Sequence, residues 1–375
     1  MLLKTITCHD VYNYGASLQA YALMKYLQKL GHDVEIINYK PNYLSKHYNL
    51  FAVNNSAWNT NIIIKAIYLI VKFPGRLLSL QRKHNFDRFT KKYLKLTPIR
   101  YLSNEHLKES LPIADIYICG SDQIWNCLFE NGKDPAFYLD FVPDDKRKIS
   151  YAASFAIKQI PKQSINFVKK KINNIDCISV RENSGIEILE SLGIHRGIQV
   201  VDPVFLLDGV EWDHLCKYQM NEKYLLVYDF DKNDLVKKIA IKIAQEKKLK
   251  IYCVNNYKCK YADKNFQFAD TEMFISLIKN AEFVISNSFH GTAFSIIFEK
   301  NFCVVNRNEN INARMFDLLA SLEIGKRLVE NEMDIINVTS KIDYYAINNK
   351  LSNQKLKSKQ FLHNSINGVD MVDVL

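Results

Sequence analysis

Ile285-Ser-Asn-Ser-Phe-His-Gly-Thr292 decides how this chain is read. The apolar run ahead of it, Ala281 to Ile285, predicts a short buried strand, and Ala293 to Glu299 behind it predicts a helix. The polar residues between them then form a strand-to-helix turn, which puts His290 at the carboxyl edge of a sheet. Gly291 permits a close backbone approach, and the free N–H groups of the following helix favour an anion beside the imidazole. The competing account is a capping loop whose His bonds to a neighbour. Three small polar residues and a glycine crowded into one turn favour function.

Strand-helix alternation extends outward from this turn. Downstream, Phe302 to Val305 predicts a strand and Asn312 to Leu322 a helix. Upstream, Tyr224 to Tyr228 and Lys250 to Val254 read as strands, with helices over Asp231 to Lys248 and Asp270 to Asn280. The first half repeats the pattern. Leu2 to Thr7 and Val34 to Ile37 flank a helix from Ser17 to Leu30 that Gly31 ends, a βαβ unit. Its first loop lacks Gly-x-Gly-x-x-Gly and the Walker Lys, which excludes a dinucleotide or P-loop site and leaves the turn as a cleft wall. Two successive α/β blocks around one cleft predict two Rossmann-like domains facing that cleft. The expected boundaries are 1–206 and 207–340, with a tail over 341–375 whose helix, near Asn353 to Ile366, is a candidate to cross back onto the first domain.

Three more strands of the first half carry chemistry at their carboxyl ends, where ligands of open parallel sheets bind. Ile113 to Cys119 delivers Gly120-Ser-Asp-Gln-Ile-Trp-Asn126, in which Asp122 either enters the cleft or caps the next helix. Lys148 to Ala153 ends in Ser154-Phe155. Cys177 to Val180 runs into Arg181-Glu-Asn-Ser-Gly185, where Arg181 is a fork for a carboxylate or phosphate, or else a salt bridge to Glu182 or another acid. Gln199 to Asp202 predicts the last strand, and Asp202-Pro203 breaks the pattern.

Composition sets the bounds. With 48% hydrophobic and 24% charged residues, the chain is an ordinary globular one. Met1 to Cys8 has no long apolar core and is not a secretory signal. Eight cysteines without a Cys-x-x-Cys pair point to reduced thiols in a cytoplasmic protein. From Trp58 to Arg100, ten Lys or Arg stand against one acid, Asp87, a net of +9 within a chain whose net charge is +10. This stretch belongs to an expected basic helical insert over about 43–110. Ile62 to Phe73 is apolar, broken by Lys65 and Lys72 and stopped by Pro74-Gly75, too short to span a bilayer. Two accounts remain: a helical cover with a solvated basic face, or peripheral contact of 58–100 with an anionic membrane. The aromatic residues form no RRM, KH or helix-turn-helix pattern, which argues against nucleic acid as a partner. No His and acid spacing suits a metal.

The ordered set Tyr14-Gly-Ala-Ser-Leu-Gln-Ala20, Gly120 to Asn126, Ser179 to Gly185, Val201-Asp-Pro-Val204 and Ser286 to Gly291 resembles the polysaccharide pyruvyl transferase family, over about Leu3 to Val305. Phe289 departs from the Leu many relatives carry there. The resemblance implies a GT-B-like enzyme that takes a pyruvyl group from phosphoenolpyruvate, with no cofactor, and builds a ketal on a sugar of a surface glycan; if the basic stretch meets a membrane, a lipid-linked oligosaccharide is one candidate acceptor. It implies His290, Asp122 and Arg181 as catalytic residues. Expected donor contacts are Arg181, Ser288, His290, Gly291 and Thr292; expected acceptor contacts are Asn13, Tyr14, Gln19, Asp122, Gln123 and Trp125. His290 suits a general acid, and Asp122 either accepts a hydroxyl proton or orients His290. The rival enzyme is a glycosyltransferase using a nucleotide sugar, for which no acidic residue pair suited to a ribose is evident.

Overall fold

The computed structural model describes residues 1–44, 61–307 and 313–369, apart from the side chains at 63, 72, 74–76, 78 and 79. Its first half runs β1 (Leu2–Ile6), α1 (Tyr14–Lys29), β2 (Asp33–Tyr39), α2 (Ile62–Tyr93), β3 (Leu96–Tyr101), α3 (Asn104–Glu109), β4 (Ile116–Cys119), β5 (Arg147–Ser150), α4 (Ile165–Asn173), β6 (Ile178–Val180), α5 (Asn183–Ser191) and β7 (Gly197–Gln199). Five strands pair in parallel in the order β3-β2-β1-β4-β5. The β6-β7 pair continues them through bridges from Ile149 to Cys177 and from Ala153 to Val180.

After α6 (Gly209–Asp213), the second half runs β8 (Tyr224–Tyr228), α7 (Asp234–Lys247), β9 (Lys250–Cys253), β10 (Lys264–Asn265), α8 (Thr271–Asn280), β11 (Phe283–Ser286), α9 (Phe289–Ile297), β12 (Asn301–Val305), α10 (Ala313–Ser321), β13 (Leu328–Val329), α11 (Ile335–Val338) and α12 (Tyr344–Asn367). Its sheet is parallel in the order β10-β9-β8-β11-β12-β13. Central strands such as Tyr224-Leu-Leu-Val-Tyr228 are buried along their whole length, because helices cover both faces. In each sheet the order reverses between two central strands, β1 and β4 or β8 and β11. Those switch points place four loops around one cleft.

Two readings need correction. Leu96–Tyr101 is an edge strand parallel to β2, so the expected insert is the crossover of a βαβ unit. Pro74-Gly75 does not stop its helix: α2 is one helix of 32 residues. Its second half is fixed by tertiary contacts, which outweigh local propensity. Phe86 and Phe89 are buried, Asn85 donates to Phe268 O (2.6 Å) and Arg88 pairs with Asp270 at 2.5 Å. A second basic residue, Lys92, likewise meets an acid of the second half, Glu272. Residues 45–60 of the expected insert, like the side chains of Lys72 and Arg76, lie outside the described set.

One apolar cluster joins the two halves. Tyr14 stacks on Phe274 with centroids 4.3 Å apart, and Trp212 packs between Tyr21 and Phe294. Helix α12 starts against the second half, where Tyr344 donates to the Lys300 carbonyl, and ends against the first, where the Ser358 hydroxyl accepts from Val201 N–H (2.9 Å) and Phe361 lies beside Tyr151.

Candidate active site

Asp202 is the hub of the cleft. Pro203 opens a 3₁₀ turn, and Val204 N–H bonds to Asp202 Oδ1 at 3.1 Å, which aims Oδ2 inward. There Oδ2 meets Arg181 Nη1 at 2.5 Å, the Ser121 hydroxyl at 3.1 Å and His290 Nε2 at 3.5 Å. The carboxylate is wholly buried, which alone would raise its pKa; the facing His290 and Arg181 hold it well below the usual range. Arg181 shows the converse balance: burial opposes its charge, but Asp202, Glu182 and Asp122 raise its pKa. Glu182 is itself held by Ser154 Oγ (2.7 Å) and Ala156 N–H (2.9 Å).

His290 is placed from two sides. Ser288 caps α9 through Gly291 N–H, so His290 lies in the first helical turn and not in a loop ahead of Ala293. From the first half, the N-terminus of α1, capped by Asn13, brings Gly15 against the imidazole. A Cβ at position 15 would fall 2.0 Å from His290 Nδ1, so only glycine fits. Gly291 likewise owes its identity to packing, since a Cβ there would meet Ser286 Oγ at 2.5 Å. The Thr292 hydroxyl bonds back to Ser288 O within the helix (3.2 Å), and neither Gly291 nor Thr292 lines the hollow that His290 faces.

Asp122 and Arg314 face His290 across a hollow of about 240 Å³, which Asn13, Gln123 and Ser288 also line. No helix follows Asp122, so it caps none. Its φ is +73°, a left-handed conformation rare for a residue with a side chain, held because Ser154 N–H bonds to its carbonyl at 3.0 Å. Arg314 Nη1 stands 3.6 Å from Asp122 Oδ1. Burial and the nearby Arg181 lower the Arg314 pKa to about 10. A second hollow, of about 160 Å³, lies behind Phe289 and is lined by Arg181, Asp202, Arg314 and residues of α10 and α12. Phe289 separates the two, with the Arg181 guanidinium 4.5 Å from its ring centre.

The structure therefore brings His290, Asp122, Asn13, Gln123 and Ser288 onto one hollow and puts Arg181 on the other. Both accounts of Arg181 describe part of it: it is ion-paired to Asp202, and it lines a cavity. Three expected acceptor contacts are corrected. Trp125 is buried, stacked on Tyr138 and bonded to Phe137 O. Tyr14 lies in the interface between the halves, its hydroxyl on Ala269 O at 2.9 Å. Gln19 is buried and holds the Thr7 hydroxyl, which in turn holds Ser121 O. Asp202 and Arg314 were not singled out in the sequence. For Arg314 a cue existed, since an Arg opening a helix after the carboxyl end of β12 has the kind of placement that drew attention to Arg181.

The chain matches the family "polysaccharide pyruvyl transferase" over residues 13–309. No curated protein matches the sequence. Among solved structures it is similar to S. aureus MnaA in complex with UDP, at 10% identity and TM-score 0.54, covering 98% of this chain and 97% of that one. A UDP-N-acetylglucosamine 2-epimerase from Rickettsia bellii gives 12% identity and TM-score 0.53, covering 100% and 98%. UDP-GlcNAc 2-epimerase from Neisseria meningitidis gives 9% and 0.51, covering 95% and 100%. At such identities the likeness is one of fold, two Rossmann-like domains facing a cleft.

Proposed function

The chain belongs to the polysaccharide pyruvyl transferase family, and we propose that it transfers the pyruvyl group of phosphoenolpyruvate to two hydroxyls of a sugar in a surface polysaccharide precursor. The observation that carries this reading is the imidazole of His290, set between Asp202 and Gly15 and facing a carboxylate and a guanidinium across one hollow. In the reaction the enol carbon gains a proton and becomes a methyl group. The central carbon forms bonds to two sugar oxygens and loses its bond to the phosphate oxygen. The two hydroxyl protons balance the equation, one ending on the methyl group and one on phosphate.

His290 acts as the general acid toward the enol carbon or the departing phosphate, with the Asp202 carboxylate 3.5 Å from its Nε2. Asp122 accepts the proton of the attacking hydroxyl; its carboxylate opens onto the hollow, whereas Asp202 already holds the orienting position beside His290. Arg181 holds Asp202 in place and adds positive charge behind Phe289. Asn13, Gln123 and Ser288 supply polar contacts to donor or acceptor. The test is mass spectrometry of free and lipid-linked glycosides incubated with phosphoenolpyruvate, with phosphate release followed in parallel. The expected product carries one added pyruvyl ketal, and phosphate appears only with acceptor. Turnover of a nucleotide sugar without phosphoenolpyruvate would select the glycosyltransferase reading instead.

The same reading extends to where the acceptor is met. Along the first half of α2, Ile62 and Ile70 are 83% and 73% exposed, Ile67, Val71 and Leu77 are exposed with them, and Lys65 projects alongside. No helix of the described residues is long and apolar enough to cross a membrane. An exposed apolar row beside basic residues suits the surface of an anionic bilayer. Flotation with anionic vesicles at low salt is expected to carry the protein, and Ile70→Glu to release it. Absence of binding at low salt would remove this surface from the function.

A further inference from the structure

We propose that Arg314 is the clamp for the anionic substrate, its guanidinium taking the phosphate or carboxylate of a small phosphorylated acid at the boundary of the two hollows. This rests on the function above only for the identity of that acid. The geometry stands apart from it. Arg314 is 8% exposed and lines both hollows, yet its guanidinium makes no hydrogen bond among the described residues. Its contacts are Asp122 at 3.6 Å, too long for a hydrogen bond, and the Phe289 ring at 5.7 Å. A buried charge without acceptors is costly unless something supplies them.

Another buried arginine shows what a structural one looks like. Arg327 donates to Val338 O at 2.6 Å and Ser340 O at 2.8 Å, closing the chain around β13. Arg314 has no such carbonyls. It opens α10 beyond the carboxyl end of β12, across the larger hollow from His290, with its planar fork beside the space a ligand would fill. That fork matches two oxygens of a phosphate or carboxylate, which a lysine cannot do. Arg181, on the other face of Phe289, spends Nη1 on Asp202 and lines only the smaller hollow, whereas Arg314 lines the hollow that His290 faces and has no donor engaged among the described residues.

The experiment titrates wild type, Arg314→Met and Arg314→Lys with inorganic phosphate and with phosphoenolpyruvate, without acceptor, by calorimetry, and records each melting curve. Wild type is expected to bind both anions. Arg314→Met weakens phosphoenolpyruvate binding about ten- to a hundredfold, Arg314→Lys recovers part of the loss, and Arg314→Met melts at or above the wild-type temperature. A wild type that binds phosphate but forms no ketal with any acceptor keeps the clamp and sinks the donor assignment. Wild type binding neither anion, or Arg314→Met binding both unchanged, overturns the clamp. So does an Arg314→Met that melts far below wild type while Arg314→Lys binds no worse than wild type, because Arg314 is then a structural partner of Asp122.

Discussion

Arg181 and Arg314 lie on opposite sides of one phenylalanine ring, both almost wholly buried, in opposite electrostatic situations. Arg181 is bonded to Asp202, with Glu182 3.7 Å from its Nε, and its charge is favoured. Arg314 has one distant carboxylate, and its charge is opposed by burial and by Arg181 itself. The difference shows that burial alone does not tell a structural charge from a functional one. What separates them is a close counter-charge: Arg181 bonds to Asp202 through Nη1, although its Nε and Nη2 make no hydrogen bond, and Arg314 makes no hydrogen bond among the described residues. A close ion pair positions its neighbours; a buried guanidinium without one is open to an anionic ligand.

The sharpest way to break this comparison is to remove the group the satisfied side positions. His290→Ala is expected to lower kcat by about 10² to 10⁴ while leaving the melting temperature near wild type, because the Asp202 and Arg181 pair survives it. Retained turnover would take the imidazole out of the chemistry and leave the Arg181 side without a task. Next in size, Arg181→Gln leaves Asp202 buried without its main counter-charge and should cost about 3 to 5 kcal/mol of stability. Urea unfolding that showed Arg181→Gln and Arg314→Met equally stable would erase the distinction.

Titration separates the two sides of Phe289 by sign. The folded pKa of Asp202 is depressed, so its contribution is present above the usual carboxyl range and is lost as pH falls below it. Arg314 is a base with a lowered folded pKa, so its charge penalises the fold at neutral pH, and the penalty fades as pH rises through about 10. Melting curves of Asp202→Asn should therefore lose part of the acid limb that wild type shows, whereas Arg314→Met should change the alkaline limb. An unaltered acid limb in Asp202→Asn would mean that the carboxylate is not the anchor the geometry makes it.

Much of the fold was legible because parallel strands buried on both faces are continuous apolar runs; Tyr224–Tyr228 was read with its observed ends. Helix starts were read late at α1 and α9, where small polar residues taken for turns were caps and first-turn residues. Strand β3 escaped because Leu96–Tyr101 contains Pro98 and two exposed residues after it, the marks of an edge strand. His290 and Asp122 stood out through residue type at a strand's carboxyl end. Asp202 did not, since Asp-Pro reads as a break and its partners come from three other segments. Arg314 carried a positional cue, but its lack of acceptors exists only in three dimensions.

The smallest expected effect is also the most specific. Gly15→Ala at an ordinary helical site would stabilise by up to about 1 kcal/mol. Here the added methyl would overlap the His290 ring, and overpacking of this kind costs about 1 to 3 kcal/mol while pushing the imidazole off Asp202. The substitution should therefore reduce activity as well as stability, although residue 15 carries no chemistry of its own. A double-mutant cycle isolates the cause: in a His290→Ala background the same change should become neutral or stabilising, because the ring it strikes is gone. If Gly15→Ala destabilises equally in both backgrounds, the glycine serves α1 alone, and His290 is held by Asp202 without help from the first domain's helix.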